Sequence, residues 1–388
     1  MENFNFYSPT YFAFGKGKES EVGALVKRFG GTKVLLHYGG GSVKRNGVFD
    51  SVTKSLDAAQ IPYIELGGVK PNPRSGLVYE GIDLCRKENV DFILAIGGGS
   101  TIDSAKAIAL GVPYEGDFWD FYCTGKPVEQ AIPVGTVLTI AAAGSEGSGD
   151  SVITNEDNML KWSAGGEALR PKFSVLNPEF TCTLPAYQTA CGITDIMVHV
   201  CERYFTNTKD VEITDRLCEA VLKAMIEEAP KVMKNLTDYQ ARANIMWAGM
   251  VAHNNIVGVG RQQDWASHAI EHELSALYDC AHGAGLAVIT PAWMKFVYKH
   301  DVNRFAQFAV RVWGCDMNFA CPEITALEGI SRFEAFLKSI GMPVNFRELG
   351  AKEEDIGSMV AQLCKRDGIG GFVEIGAEEA EAIFRLAL

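Results

Sequence analysis

Apolar and polar positions in the first half of the chain follow the pattern of strands separated by helices. Short β-rich runs predict strands at residues 33–38, 61–66, 91–96 and 134–140. Between them, apolar residues recur at helical spacing, at Val48, Val52, Leu56, Val78, Ile82 and Cys85. Strand and helix alternate about every thirty residues, which predicts a parallel sheet with ligand sites beyond the carboxyl ends of its strands.

The second half of the chain changes to long helical patterns with few β-rich runs. Ile213, Leu217, Val221 and Met225 predict one apolar stripe on a helix. Further helices are predicted over residues 239–253, 264–278 and 322–340. The polar, proline-punctuated stretch before Pro185 is the predicted join, which gives an α/β domain over 1–183 and a helical domain over 184–388.

Composition narrows the class of protein. The 388 residues are 47% hydrophobic and 22% charged, as in globular proteins and unlike disordered chains. A net charge of −12 leaves no basic field for phosphates, so nucleic acid is not an expected partner. No basic segment precedes an apolar run at the N-terminus, and no run of 18 apolar residues exists. We therefore expect a cytoplasmic protein with no membrane partner.

Ten cysteines are present, but no two form a C-x-x-C pair. In a long chain without a secretion signal, this pattern favours reduced, buried thiols over a disulfide framework. Cys280 lies two residues before a histidine and is a candidate metal ligand, although a small core residue is the more ordinary interpretation.

Two glycine runs, residues 39–42 and 97–100, each follow a predicted strand and open a predicted helix. Glycine there lets backbone N–H groups approach an anion at a helix N-terminus. A tight turn would also explain each run, and Ser100 with Asp103 matches a capping box that needs no ligand. Two equivalent runs in one sheet favour a bound nucleotide. The polar stretches 136–139 and 144–149 are further candidates to line the same crevice.

A second cluster has the composition of a metal site. Asp195 and His199 lie four residues apart on a predicted helix with apolar neighbours, so both side chains project from one face. His268 and His272 are also four apart, and His282 follows ten residues later. One carboxylate with imidazoles suits Fe²⁺ or Zn²⁺. Spacing alone leaves open whether His268 or His272 completes the set.

These motifs together resemble those of the iron-containing (group III) alcohol dehydrogenase family, especially its butanol dehydrogenase and aldehyde reductase branch. The resemblance covers nearly the whole chain. It is carried by residues 38–44, 97–106, 118–121, 144–146, Asp195 with His199, and most specifically by 264–275 with 278–279 and 282–283.

The resemblance implies an N-terminal dinucleotide-binding α/β domain with a parallel sheet and an all-helical C-terminal domain, the fold shared with dehydroquinate synthase. It implies Asp195, His199, His268 and His282 as metal ligands, with His272 as a catalytic residue beside the nicotinamide and substrate. The cofactor-binding residues that follow from the glycine runs and the family are Gly39, Gly40, Gly41, Ser42, Gly97, Gly98, Gly99, Ser100, Asp103, Thr136, Thr139, Ser145 and Lys161.

The implied activity is hydride transfer between NAD(P)H and small aliphatic aldehydes such as butanal, which yields primary alcohols. Lys44 and Arg45 follow the first glycine run without a carboxylate, and this favours NADP(H) over NAD(H). The ligand types do not separate Fe²⁺ from Zn²⁺. A homodimer is expected from the family.

Two other functions would use part of the same motif set. A lyase like dehydroquinate synthase also uses a nicotinamide and a metal, but it needs a basic pocket for a phosphorylated substrate. Arg261 is the nearest candidate cation in the sequence, and it stands alone. A non-catalytic nucleotide- or metal-binding protein is the third possibility, but no motif is missing that would favour it.

Overall fold

The computed structural model describes residues 1–366 and 368–388. The chain forms two compact units, one of residues 7–184 with 237–250 and the other of residues 1–6, 185–236 and 251–388. The stretch 237–250 belongs to the first unit, where Trp247 packs edge-on against Phe12 and Phe14. The N-terminal residues belong to the second unit, where the amide of Glu2 donates to the carbonyl of Gly260. The predicted domains, 1–183 and 184–388, do not anticipate these two exchanges and stay a prediction.

The first unit is built on a six-stranded sheet in the order β1-β8-β5-β4-β2-β3, in which every pair is parallel. Two further strands, β6 and β7, form a separate antiparallel hairpin. The strands are β1 Tyr11–Phe14, β2 Val34–Gly39, β3 Tyr63–Val69, β4 Phe92–Gly97, β5 Val134–Leu138, β6 Asp150–Asn155, β7 Leu160–Gly165 and β8 Phe173–Leu176.

Six helices accompany these strands: α1 Val22–Arg28, α2 Ser42–Arg45, α3 Val48–Ala58, α4 Ser75–Glu88, α5 Gly99–Gly111 and α6 Asp120–Cys123. Alternate strand residues face opposite layers, as the pleat requires. Phe92, Leu94 and Ile96 join the core formed with α1 and α3, while Ile93 and Ala95 join the core formed with α4 and α5. Both faces of β4 are therefore covered, which is why its sequence is a continuous apolar run.

The direction of winding reverses between β2 and β4. From β2 the chain moves outward to β3, and it then returns to place β4 on the other side of β2. The crevice beyond such a reversal is where ligands bind in open parallel sheets. Both glycine runs lie there, since β2 ends at Gly39 and β4 ends at Gly97.

The second unit is helical. Its helices, together with α9, which begins in the first unit, are α7 Ala186–Tyr204, α8 Glu212–Lys234, α9 Tyr239–His253, α10 Ala266–Tyr278, α11 His282–Val297, α12 Val302–Trp313, α13 Pro322–Ser339, α14 Phe346–Leu349, α15 Ile356–Leu363 and α16 Ala377–Leu386. Short 3₁₀ helices in the chain are Lys18–Glu21, Glu167–Leu169, Pro178–Thr181, Tyr298–His300 and Glu353–Asp355. Helix α7 is buried on all sides from Thr189 to Tyr204, and α8, α10 and α11 pack against it.

The apolar stripe predicted for α8 is wrong. Ile213 is 62% exposed and Leu217 is also exposed, whereas Asp215 and Glu219 are buried on the opposite face. Asp215 is bound by the guanidinium groups of Arg261 and Arg304 at 2.9 and 2.6 Å. Cations compensate these carboxylates in the first turns of the buried face, and Cys218, Leu222 and Met225 continue that face, so Met225 is the member of the predicted stripe that is buried.

The predicted α/β and helical architecture is confirmed. The four predicted strands correspond to β2, β3, β4 and β5, and the predicted helix at 239–253 matches α9. Strands β1 and β8 were not predicted because each is only four residues long. Among the helices of the described residues, none is both long and apolar enough to span a membrane.

Candidate metal centre and nucleotide-binding loops

Helix α7 supplies two of the predicted metal ligands. Asp195 and His199 are one turn apart, and Asp195 Oδ1 lies 3.2 Å from His199 Nδ1. Both side chains are buried, because α7 is covered by neighbouring helices on every side. Burial, with His253 and His268 close by, holds the pKa of His199 well below its usual value, so its imidazole is neutral and able to bind a cation.

His268 of α10 and His282 of α11 reach the same place. Their Nε2 atoms lie 3.6 and 3.7 Å from Asp195 Oδ1. The ring of His268 is 4.5 Å from that of His199 and 5.3 Å from that of His282, measured between centroids. The structure thus brings all four predicted ligands together, from three helices that pack against one another.

Several of these polar atoms contact one another but form no regular hydrogen bond. Asp195 Oδ1, His199 Nδ1 and His268 Nε2 are buried and have no hydrogen-bond partner among the described residues. A buried polar atom without a partner costs on the order of 1–3 kcal/mol, more if charged. A divalent cation would satisfy all three atoms at once, and a carboxylate with imidazoles is a donor set that suits Fe²⁺ or Zn²⁺.

Two buried glutamates hold the other nitrogens of these histidines. Glu202 Oε1 accepts from the backbone N–H and from Nδ1 of His268, both at 2.9 Å. Glu271 Oε2 accepts from Nδ1 of His282. A carboxylate at Nδ1 fixes the ring orientation and the tautomer, so that Nε2 is presented to the metal.

The side chain of His268 lies between two carboxylates. Burial on its own lowers the pKa of His268, but the contacts with Asp195 and Glu202 outweigh burial and raise the pKa to about 9. His268 thus lies between two carboxylates, an environment that favours positive charge at this point.

His272 lies one turn further along α10 and has a different neighbourhood. Its ring centroid is 5.7 Å from that of His282, and its ligand atom groups with those of Glu271 and His282 within 4.8 Å. Asp195 groups with His268 and His282 instead. Spacing leaves open the choice between His268 and His272; in the structure His268 lies beside Asp195, whereas His272 lies beside Glu271. Cys280 belongs to neither group in the described part of the chain.

Glu271 was not singled out from the sequence. It lies three residues after His268 and eleven before His282, and both its oxygens are inside the fold. The available signal was a glutamate between two histidines on an otherwise apolar helix, since a buried carboxylate needs a partner.

The glycine runs lie side by side at the carboxyl ends of β2 and β4. Gly41 has φ of +93°, a conformation that favours glycine, and it precedes the four-residue helix α2. Gly99 opens the longer helix α5, and a Cβ there would stand 2.8 Å from that of Ala143. Close packing thus explains part of the glycine requirement at 97–99. The half-buried amides of residues 98–100 remain at the N-terminus of α5, where an anion is favoured.

Asp103 does not cap α5 as the capping-box alternative expected. Its carboxylate accepts from Ser145 Oγ at 2.6 Å and from the amide of Val152 at 3.0 Å. Lys106, one turn on, donates to the carbonyls of Ser145, Ser148 and Asp150 at 2.7–2.9 Å. Burial raises the pKa of Asp103 to about 6 and lowers that of Lys106 to about 8. Asp103, a predicted cofactor-binding residue, thus binds the 145–152 segment to α5 together with Lys106, which the sequence analysis did not single out.

The remaining predicted cofactor residues lie deeper in the first unit. Thr136 is fully buried in β5, and its hydroxyl donates to Ser174 Oγ at 2.8 Å, so the structure does not bring this side chain to the loop surface. Thr139 follows β5, and its amide donates to the carbonyl of Gly97 at 2.9 Å. Lys161 is a buried residue of β7. Ser145, Thr139 and the two glycine runs therefore carry the prediction of a cofactor site.

The chain is similar to known proteins over nearly its whole length. Residues 9–178 match the family model described as iron-containing alcohol dehydrogenase, and residues 189–388 match that of the C-terminal region of the Fe-containing alcohol dehydrogenase family. The chain is 43% identical to a probable NADH-dependent butanol dehydrogenase 2 of Bacillus subtilis, with all of both chains covered. It is 37% identical to the NADPH-dependent aldehyde reductase YqhD of Escherichia coli, covering 97% of this chain and 95% of that one.

The fold is also shared with solved structures. The structure of an NADH-dependent butanol dehydrogenase A from Thermotoga maritima superposes with a TM-score of 0.97 and is 40% identical in sequence. The match covers 100% of this chain and 99% of that chain. Similarity therefore extends over both units and is not confined to one motif.

Proposed function

The chain belongs to the iron-containing alcohol dehydrogenase family, and from that premise we propose a metal-dependent reductase of small aliphatic aldehydes. The chain is an oxidoreductase that interconverts alcohols and aldehydes with NAD(P)H. The finer proposal is that butanal and similar aldehydes are reduced to primary alcohols, with Fe²⁺ or Zn²⁺ as the metal. In the reaction, RCHO, NAD(P)H and one proton give RCH₂OH and NAD(P)⁺.

One observation supports the proposal above the others. Ligand atoms of Asp195, His268 and His282 lie within 4.8 Å of one another, and His199 Nδ1 lies 3.2 Å from the same carboxylate. Buried polar atoms of this kind need compensation. A divalent cation would supply it.

The residues of the chain divide the work of the reaction. When bound, the metal polarises a carbonyl oxygen as a Lewis acid and the nicotinamide supplies the hydride. Asp195, His199, His268 and His282 hold the metal, and Glu202 and Glu271 keep two of these histidines oriented. His272, one turn from His268, is the side chain proposed to pass a proton to the product oxygen.

The cofactor is held by the first unit in this proposal. Residues 97–100 at the N-terminus of α5 bind the pyrophosphate, and Asp103 with Lys106 keeps the neighbouring 145–152 segment in place. Residues 39–42 at the end of β2 lie beside that loop and are assigned to the adenosine ribose.

One premise of the predicted NADPH preference is wrong. The prediction of NADPH assumed no carboxylate near Lys44 and Arg45, but Glu65 Oε2 lies 2.6 Å from Lys44 Nζ. Relatives include both NADH- and NADPH-dependent enzymes. We therefore propose that the chain accepts both cofactors, and the NADPH preference stays a prediction that kcat/KM values for the two cofactors would test.

The lyase alternative is not favoured. Its candidate phosphate-binding cation, Arg261, has a fully buried guanidinium group that binds Asp215 at 2.9 Å and donates to the carbonyls of Arg203 and Val211. Arg261 is therefore a structural residue of the helical unit. The homodimer and the cytoplasmic location stay predictions, which light scattering and cell fractionation would test.

Metal-reconstituted activity tests the proposed function. The purified protein is stripped with a chelator, Fe²⁺ or Zn²⁺ is added back, and oxidation of NADH and NADPH is followed with butanal. We expect one metal to restore turnover, and His268→Ala to lower turnover by about a thousandfold and to lower metal content.

His300→Ala is the matched control, since His300 is an exposed histidine that contacts Asn207. Its activity and metal content should equal those of the wild type. Full activity in His268→Ala with unchanged metal content would show that the ligand assignment is wrong. Stoichiometric metal binding without turnover in the wild type would contradict the reductase.

A further inference from the structure

The first glycine run is flanked on both sides by residues that contact one acidic side chain. Tyr38 immediately precedes the run, and its hydroxyl donates to Glu65 Oε2 at 2.9 Å. Lys44 lies two residues after the run, and its ammonium donates to the same oxygen at 2.6 Å. Glu65 comes from the neighbouring strand β3, where it pairs with Leu36 of β2, and its side chain contacts a residue on each side of the run.

Local sequence explains this arrangement. Gly67 leaves the space that the Tyr38 ring occupies, because a Cβ on Gly67 would stand 2.5 Å from Cε2 of that ring. The Lys44 ammonium lies over the rings of Tyr38 and Phe49, at 4.8 and 4.5 Å from their centroids. The cation is thus held between two aromatic faces and a carboxylate, and Glu65 together with Tyr38 raises the pKa of Lys44 far above its usual value.

The second cation at the loop is differently placed. Arg45 Nη1 lies 3.6 Å from where a Cβ would stand on Gly41, and no carboxylate of the described residues forms an ion pair with Arg45. Of the two cations that follow the run, only Lys44 is compensated.

We propose that Glu65 is a cofactor-specificity residue, which disfavours the 2′-phosphate of NADP(H) relative to the 2′-hydroxyl of NAD(H). It does so by occupying the ammonium of Lys44 and by placing a negative charge at the two residues that flank the loop assigned to the adenosine ribose. This inference rests on the proposed function, because it assigns residues 39–42 to the ribose. In other dinucleotide folds an acidic residue about 20 residues after the glycine loop binds the ribose 2′-hydroxyl. Glu65 has a comparable spacing, since it lies on β3, 23 residues after Ser42.

The expected effect is moderate, because Glu65 and Lys44 are both about two-fifths exposed. A phosphate dianion near one carboxylate in this partly solvated setting is disfavoured by about tenfold. The exposed position also means that Glu65→Gln should fold normally, which circular dichroism and the Tm would verify.

The test measures the ratio of kcat/KM for NADPH to that for NADH. In Glu65→Gln the ratio should rise about tenfold through a lower KM for NADPH, with kcat unchanged. In Lys44→Met the ratio should fall. When Lys44→Met is already present, adding Glu65→Gln should raise the ratio far less than Glu65→Gln does in the wild type. Coupling of this kind is expected only if the carboxylate acts partly through Lys44.

Glu88→Gln is the matched control. Glu88 forms a surface ion pair with Lys33 at 2.9 Å and lies at the end of α4, away from the glycine run. Glu88→Gln removes the same charge as Glu65→Gln. Its ratio should equal that of the wild type. A ratio within twofold of wild type in Glu65→Gln, or an equal rise in Glu88→Gln, would overturn the inference.

Calorimetry with adenosine 2′,5′-bisphosphate and adenosine 5′-monophosphate gives a readout that does not depend on turnover. Glu65→Gln should tighten binding of the bisphosphate about tenfold and leave the monophosphate unchanged. If the wild type is active but Glu65→Gln binds the bisphosphate no more tightly, Glu65 has no role in cofactor specificity, and the proposed reductase function is unaffected. If the wild type binds neither nucleotide and oxidises neither cofactor, the proposed function fails and this inference fails with it.

Discussion

At the scale of single residues, the two glutamates behind the histidines define the metal site as much as the ligands do. Glu202 and Glu271 each accept from the Nδ1 of one histidine, and both are buried. A carboxylate there makes the imidazole a better donor and fixes its direction. Glu202 and Glu271 also add two negative charges near a site that must attract a divalent cation.

We expect Glu202→Gln and Glu271→Gln each to lower metal affinity by 10- to 100-fold, the range typical of such partners. An amide keeps the size of the side chain but removes its charge. Competition with a chelator of known affinity, read by metal analysis, measures this loss. Activity at saturating metal should fall less than affinity does.

Glu273→Gln is the control for this pair. Glu273 is buried on the same helix α10 but binds Arg366 at 3.0 Å instead of a histidine. Its metal affinity should stay within a factor of two or three of the wild-type value. If all three substitutions weaken metal binding equally, the effect comes from lost stability and not from the histidine contacts.

The spacing of residues along the chain predicts which side chains are candidate metal ligands, but not every contact that these side chains make. His268 and His272 share one face of α10, so spacing cannot choose between them; the choice needs the position of Asp195 on α7. Glu65 was missed for a similar reason, because strand pairing between β2 and β3, and not distance along the chain, brings it to Lys44.

At the scale of elements, His37 joins the strands and helix that present the glycine runs. It is fully buried in β2, where Nδ1 pairs with the carbonyl of Leu66 in β3 at 2.9 Å and Nε2 with Ser104 of α5 at 2.8 Å. Burial lowers the pKa of His37 to about 4, against the hydrogen bond to Leu66. The native state therefore holds this imidazole neutral at pH 7.

The pH dependence of stability follows from that shift. Below about pH 6.5 the unfolded chain takes up a proton at His37, whereas the folded chain does so only near pH 4. The contribution of His37 is therefore fully present above pH 6.5 and is lost as the pH falls toward 4, by about 3 kcal/mol in total. Tm values of wild type and His37→Gln across pH 4–8 measure it.

We expect His37→Gln to lose less of its Tm on acidification than the wild type, because glutamine takes up no proton. His300→Gln changes an exposed histidine, and its Tm should fall with pH as much as that of the wild type. Parallel Tm curves for wild type and His37→Gln would contradict a buried neutral His37.

Elements were predictable where one physical term dominates. The runs of β2, β4 and β5 are mostly apolar and buried, so the sequence predicts these strands. Helix α8 was correctly expected but turned to the wrong face, since Asp215 and Glu219 are buried with arginine partners. The orientation of α8 depends on contacts with distant segments of the chain, and the spacing of apolar residues within the helix does not reveal these contacts.

At the scale of the whole molecule, each compact unit holds one part of the chemistry. The glycine runs belong to the unit of residues 7–184 and 237–250, and the four metal ligands belong to the other unit. Full-length similarity to butanol dehydrogenases and an aldehyde reductase supports the two parts acting in one enzyme. The exchange of residues 237–250 between halves was not predictable, because it depends on contacts such as that of Trp247 with Phe12.

Diffraction data collected at the iron absorption edge from crystals of the iron-loaded protein would locate the cation directly. We predict one anomalous peak about 2.0–2.2 Å from an oxygen of Asp195 and from a ring nitrogen of each of His199, His268 and His282. A peak among Glu271, His272 and His282, whose ligand atoms also lie within 4.8 Å of one another, would contradict this assignment. Fully loaded protein with no peak at Asp195 would contradict it equally.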